Sequence, residues 1–167
     1  VAERFLALAI ASARHRLYLT NPYFVPSPPV VDALVAAARR GVDVRILTNG
    51  AQSDVKVTWF AGRSQYDELL AAGVGVWEYQ PAVLHAKTFV VDGSWLAVGT
   101  INIDSRSLAF NNEVSLTVVD SGLGAAMDAM FRADQGRALE IKLELFRRRS
   151  RLHRLLENAA YAFARLL

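Results

Sequence analysis

The chain has 167 residues, 53% of them hydrophobic and 21% charged, and carries a formal net charge of +3. That length suits one domain with a core of its own, and the composition excludes a disordered or collagen-like chain. There is no cysteine, which excludes disulfides, thiol nucleophiles and thiolate metal sites, while the small basic surplus points only to an anionic partner of some kind: phosphate, nucleic acid or acidic lipid.

The chain begins at Val1 rather than Met, and we expect a fragment of a longer protein. Glu3 and Arg4 at its start, with Arg14 and His15 soon after, do not make a signal peptide. No stretch approaches the roughly 20 apolar residues that span a bilayer, so a membrane anchor is expected outside this sequence. Residues 4–15 are predicted to form a short helix with Phe5, Leu8, Ala9 and Ser12 on one face, and Leu17–Thr20 a strand. Four of the five prolines fall in 21–29 and break the chain there. Ser27 is a candidate N-cap with Pro28 at the first helical position; the helix runs to Arg40 and stops at Gly41. A strand at Val42–Thr48, a loop at Asn49–Ser53, a helix through Leu70 ended by Gly73, and a strand at Val74–Tyr79 complete a strand–helix–strand rhythm.

The rhythm then changes. His85–Val91, Trp95–Gly99 and Glu113–Val119 read as three strands with no long helix between them, and Asp92-Gly93 marks a hairpin. The expected fold is therefore α/β, a mixed parallel and antiparallel sheet with helices on both faces. Gly122 to Leu167 reads as helix, with Arg147, Arg148, Arg149, Arg151, Arg154 and Arg165 among leucines. Such a helix is either a solvated face or a basic amphipathic element at an anionic membrane surface. Trp59, Trp77 and Trp95 read as core or interface residues, Tyr23 and Phe24 as either core or substrate entrance, and Arg106 as a residue near enough to touch an anionic head group.

The stretch that carries chemistry is His85-Ala-Lys87-Thr-Phe-Val-Val-Asp92, followed by Gly99-Thr100-Ile-Asn102. Alternation along a strand puts His85 and Lys87 on one face, and the hairpin brings Thr100 and Asn102 beside them. Imidazole can attack phosphorus or protonate a leaving oxygen near neutral pH. Lysine and asparagine can hold non-bridging oxygens as charge builds. No carboxylate cluster near His85 suggests a metal, and no cofactor is called for. A histidine in this role needs its second nitrogen held by a carboxylate, and Glu113, which opens an apolar strand, is the candidate. Asp92 starts a tight turn, which is mainly a structural task.

His-x-Lys-x4-Asp-x6-Gly-Thr-x-Asn resembles the HKD motif of the phospholipase D superfamily, with Thr100 where serine is commoner. The resemblance extends to 21–26, 38–47, 66–74 and 104–114, which look like the second half of bacterial cardiolipin synthases. Their usual proline-containing apolar ending is replaced here by Ala164-Arg-Leu-Leu167. The resemblance implies a phospholipase D-like domain, with His85, Lys87, Asp92 and Glu113 as catalytic residues, Lys87, Thr100 and Asn102 at the phosphate, and Glu113 orienting the histidine. It also implies a phosphatidyltransferase acting between phosphatidylglycerol molecules, at the bacterial cytoplasmic membrane.

Transfer through a phosphohistidine needs two such groups, and neither His15 nor His153 sits in a second copy of the motif. The partner is then an N-terminal half missing from this sequence, in which case the resemblance implies that His85 is the general acid, or an identical chain, with the two copies of His85 dividing the roles. A phospholipase D-type hydrolase, a homodimeric nuclease and a non-catalytic pairing module are the competing expectations. The apolar Pro81-Ala-Val-Leu84 beside His85 favours lipid over nucleic acid.

Overall fold

A computed structural model describes residues 2–164; Val1 and Arg165 to Leu167, the end of the expected tail helix, lie outside the described residues. Helix α1 (Ala2–Ser12) leads to strand β1 (Arg16–Thr20), then α2 (Pro28–Arg39) and β2 (Asp43–Asn49). Helices α3 (Lys56–Arg63) and α4 (Tyr66–Ala71) precede β3 (Gly75–Tyr79), β4 (Thr88–Val91) and β5 (Trp95–Gly99). The chain continues through α5 (Ser105–Ala109), β6 (Ser115–Val119), α6 (Ser121–Gln135), β7 (Ala138–Glu140), α7 (Leu143–Arg147) and α8 (Arg151–Ala164).

All seven strands form one sheet in the order β6-β5-β4-β1-β2-β3-β7. The pairs β1–β2 and β2–β3 are parallel, and every other neighbouring pair is antiparallel, which is the mixed sheet expected. Central strands are covered on both sides, so Leu17, Tyr18 and Leu19 are consecutive and all buried. On one face Leu17, Leu19, Ile46, Phe89 and Val91 meet Leu6 and Ile10 of α1 and Leu34 of α2. On the other, Tyr18, Leu47, Val90 and Leu96 meet Phe131 of α6, whose ring stacks on Tyr18 at 4.8 Å. Burying one such side chain contributes roughly 1.5–3 kcal/mol.

The predicted stops hold for physical reasons. Gly41 and Gly73 take φ of 89° and 92° just after α2 and α4, a left-handed backbone that glycine adopts without steric cost. Asp92 and Gly93 have φ of 52° and 65°, the signs a type I′ hairpin turn requires.

Other expectations are corrected. The helix read through Leu70 is two helices, because Ser64 Oγ donates to the Ala61 carbonyl at 2.7 Å and ends α3. Ser27 occupies the N-cap but gives α2 no side-chain bond; its hydroxyl donates to Glu3 at 2.5 Å. The tail is not continuous helix, since β7 joins the sheet edge against β3. The tail arginines also divide. Arg147 pairs with Asp67, and Arg149 is held 2.7 Å from the buried Glu157. Arg63 bridges Glu157 and Glu78 at 3.3 and 2.6 Å, and Trp59 Nε1 donates to Glu78 at 3.0 Å. This cluster fastens α8 to α3 and β3.

The Asp92 carboxylate accepts from the backbone N–H groups of Arg14, His15 and Arg16 at 3.0, 2.8 and 2.9 Å. Burial alone would raise its pKa, but the three donors outweigh it and hold the carboxyl below its ordinary value. Asp92→Ala is therefore expected to cost about 2 kcal/mol in urea unfolding at neutral pH. A group whose folded pKa is depressed stabilises above its unfolded value, about 3.9, and loses that contribution as pH falls through the folded value. The gap between wild type and variant should narrow below about pH 4, and a gap independent of pH would contradict the assignment.

Candidate functional site

The site residues collect where the parallel strands β1 and β2 end at their carboxyl termini, the usual place for ligands in open α/β sheets. Thr20 at the end of β1 pairs with Thr88 at the start of β4, and Gly99 donates its backbone N–H to the Lys87 carbonyl at 3.2 Å. His85 and Lys87 therefore lie just before β4 rather than within it, and Thr100 and Asn102 just beyond β5. The strand expected over His85–Val91 is shortened because the chain before Lys87 is held by a side chain instead of a strand.

That side chain is Asn49, 2% exposed, at the end of β2. Its Oδ1 accepts from Leu84 N–H at 2.7 Å and its Nδ2 donates to the Leu84 carbonyl at 3.0 Å. Asn21, fully buried just after β1, does the same for the second segment. Its Nδ2 donates to the Ile101 carbonyl at 3.0 Å, and its Oδ1 accepts from Ile103 N–H at 3.1 Å. One carboxamide thus grips the residue before His85, and the other grips both neighbours of Asn102. Each imitates a stretch of ladder where no strand can reach.

His85 is exposed, with the Tyr23 ring edge-on at 5.9 Å between centroids. Tyr23 is fixed in turn by its hydroxyl, which donates to the Asp54 carboxylate at 2.9 and 3.1 Å. Burial and that bond push the phenol up to about 12. Tyr23 is thus at the site, whereas Phe24 is core at 2% exposure. Lys87 is half-buried; burial lowers its pKa below the ordinary lysine value, against the opposing pull of Glu113, Asp54 and Asp104.

Glu113 receives three side-chain donors. Thr100 Oγ1 makes a short hydrogen bond to Oε2, while Ser107 Oγ and Asn111 Nδ2 reach Oε1 at 2.6 and 3.2 Å. Burial would raise its pKa, but these bonds and the charge of Lys87 hold it below the usual carboxylate range. Ser107 also accepts from Asn102 N–H at 2.9 Å, and its own N–H is capped by Asp104 at 2.7 Å. Asn102 Oδ1 is buried with no hydrogen-bond partner, the one such group at the site.

The structure thus brings together His85, Lys87, Thr100, Asn102 and Glu113. It does not bring Asp92 to them, because that carboxylate is at the opposite end of β4, engaged with backbone. The bonds of Glu113 run to Thr100, Ser107 and Asn111 and not to the His85 ring. Arg106 is exposed on α5. The residues missed by the sequence reading are Asn21, Asn49, Asp54 and Ser107; the two asparagines directly follow or close apolar strands, a position that signals a polar task. A cavity of about 500 Å³ lined by Phe5, Ile101, Leu108, Phe110 and Glu113 adjoins the cluster. Among the described residues no group of three or more His, Asp or Glu side chains converges to hold a metal ion.

Comparison with known proteins matches residues 6–135 to the family described as "Cardiolipin synthase, PLD-like domain". Cardiolipin synthase A of Yersinia pseudotuberculosis serotype O:3 (strain YPIII) is 39% identical over 162 residues, covering 97% of this chain and 33% of that protein. Cardiolipin synthase A of Yersinia pestis is 38% identical over the same length. The chain spans about a third of the length of the curated relatives it matches. Among solved structures, a phospholipase D family member, Nuc, from Salmonella typhimurium superposes with a TM-score of 0.75 at 20% identity, covering 84% of this chain and 91% of Nuc. Phosphatidylserine synthase of Haemophilus influenzae Rd KW20 superposes with a TM-score of 0.73 at 13% identity, covering 97% of this chain and 44% of that one. These likenesses show a shared fold.

Asn49→Ala removes both bonds to Leu84 and leaves its half-buried backbone groups unpaired, an expected loss of about 1–2 kcal/mol in thermal or denaturant unfolding. The His85 imidazole resonances should shift and broaden in the same variant, while those of His15 and His153, on other elements, stay in place. An unchanged His85 signal would show that Asn49 does not position it.

Proposed function

The chain belongs to the cardiolipin synthase, PLD-like domain family, and on that premise we propose that it is half of a metal-independent phosphatidyltransferase. The donor and acceptor are both phosphatidylglycerol, and the products are cardiolipin and glycerol. The reading is carried by one observation: His85, Lys87 and Asn102 stand on two segments clamped side by side, in a chain 39% identical to cardiolipin synthase A along nearly its whole length.

In the first step an imidazole nitrogen attacks phosphorus, an N–P bond forms, and the P–O bond to glycerol breaks. The departing oxygen takes a proton from the second imidazole. In the second step the acceptor hydroxyl attacks phosphorus, loses its proton to that same imidazole, and the N–P bond breaks. Lys87 and the Asn102 carboxamide hold the non-bridging oxygens while charge accumulates on them. Glu113 keeps Thr100 and the Asn102 backbone in place through Ser107.

Two imidazoles are required, and this chain supplies one, so the working unit includes a second HKD half. The length of the relatives supports a half on the same polypeptide, and a second copy of this chain is the other arrangement. In the first arrangement His85 is the general acid. The substrate places the working unit at an anionic phospholipid surface, the bacterial cytoplasmic membrane. Among the described residues no helix is long and apolar enough to cross it.

The test is incubation of the protein, with its second half, with phosphatidylglycerol in mixed micelles. Cardiolipin and glycerol should appear by mass spectrometry and fall by at least about 10³-fold in His85→Ala. Phosphatidic acid as the product would mean a hydrolase. Cleavage of single-stranded nucleic acid without any lipid product would overturn the transferase.

The pH profile gives a second check. Lys87 is cationic below its pKa and neutral above it, and that pKa is lowered. The alkaline limb should therefore fall below the ordinary lysine value of about 10.4. Glu113→Gln removes a charge that favours the cation, so the limb should move further toward neutral; an unmoved limb would mean that Lys87 does not set it.

A further inference from the structure

Helix α8 is turned inside out. Its one fully buried side chain is a carboxylate, Glu157, at 1% exposure, held by Arg63 and Arg149. Its leucines face outward: Leu152, Leu155 and Leu156 are 64%, 65% and 46% exposed, and Phe163 is 52% exposed. With Ala159 these positions fall within an arc of about 100° and run for about 17 Å along the helix. Nothing in the local sequence requires this orientation, since a helix rotated by half a turn would bury the leucines. The ion cluster with α3 and β3 prevents that rotation.

The margin of the stripe is basic. Arg151 flanks it on α8 and Arg148 lies just before the helix; both are exposed, and neither forms an ion pair among the described residues, whereas Arg154 is on the far side of the helix, where its guanidinium donates to the Arg147 carbonyl. α8 is the most strongly amphipathic of the long helices, yet its composition is balanced between apolar and polar. These are the properties of a helix that lies in the plane of a bilayer surface with its apolar face among the acyl chains and its arginines at anionic head groups.

The helix is also close to the site. Tyr161 Oη donates to the Pro26 carbonyl at 3.3 Å, in the same segment that carries Tyr23. A cavity of about 250 Å³ lies between Tyr161, Pro26 and Phe110, and Phe110 is 77% exposed.

We propose that the outward face of α8 docks on an anionic phospholipid bilayer and lays the His85 end of the sheet against the head groups. The proposal rests on the lipid reading of the site and assigns its membrane contact to a defined helix. An anionic lipid surface matches both halves of the observation, the apolar arc and the exposed Arg148 and Arg151 at its start. An apolar partner protein would match only the first.

The test is flotation of the protein with vesicles of phosphatidylcholine alone or mixed with phosphatidylglycerol, across a salt series. Binding should require phosphatidylglycerol and weaken as salt rises. Leu155→Glu should weaken it by about tenfold, and the pair Arg148→Glu and Arg151→Glu should abolish the preference for the anionic vesicles. Leu8→Glu, on the exposed face of α1, is the control and should bind as wild type. Circular dichroism checks that each variant keeps its helix content, and sedimentation reports assembly.

Flotation of Leu155→Glu equal to wild type would overturn the proposal. So would a wild-type dimer that Leu155→Glu converts to monomer with no change in lipid binding, which would mean that a second copy covers the face. Flotation needs no turnover, so a protein that docks but makes no cardiolipin would sink the transferase and leave the docking face standing.

Discussion

Two buried carboxamides set the geometry on which the rest depends. β4 and β5 stop short of the residues that carry the chemistry, and the β-ladder cannot hold what lies beyond it. Asn49 and Asn21, at the ends of β2 and β1, take over with paired hydrogen bonds to Leu84 and to Ile101 and Ile103. Both asparagines are at most 2% exposed, and the bonds of Asn21 are fully buried, where water does not compete. The parallel half of the sheet thereby positions the loops of the antiparallel half, which explains why both kinds of pairing are needed in one domain.

Around that frame the charges are unbalanced. Lys87 stands among the carboxylates of Glu113, Asp54 and Asp104, and its pKa is lowered by burial despite them. Asn102 keeps a buried oxygen without a partner. For the proposed reaction, a phosphodiester here needs more positive charge and a second proton-transfer group than Lys87 and His85 alone offer. The electrostatics therefore agree with the chemical count of imidazoles: the proposed reaction belongs to a pair of halves. The same economy appears in α8, where two arginines hold a glutamate inside and leave leucines outside.

Much of this was legible in the residues. The mixed sheet followed from strand spacing, and the Asp92-Gly93 turn from its dipeptide, with φ of the required sign at both positions. The cluster of His85, Lys87, Thr100, Asn102 and Glu113 followed from motif spacing. What stayed hidden depends on contacts distant in sequence. Asp92 belongs to the motif by spacing but bonds backbone at 14–16, at the start of the neighbouring strand. Glu113 is adjacent to the site but spends its oxygens on Thr100, Ser107 and Asn111. The inversion of α8 could not be read from its own periodicity, because an amphipathic pattern names two faces without saying which is inside. The ion pairs of Glu157 with Arg149 and with Arg63, the latter 94 residues away, decide it.

The central claim is a double displacement at phosphorus through a histidine adduct. It is tested most directly by the stereochemical course of transfer from a phosphatidylglycerol made chiral at phosphorus by sulfur substitution. Two in-line displacements predict net retention of configuration. Net inversion would mean a single direct attack by the acceptor, with no phosphohistidine, and would contradict the account.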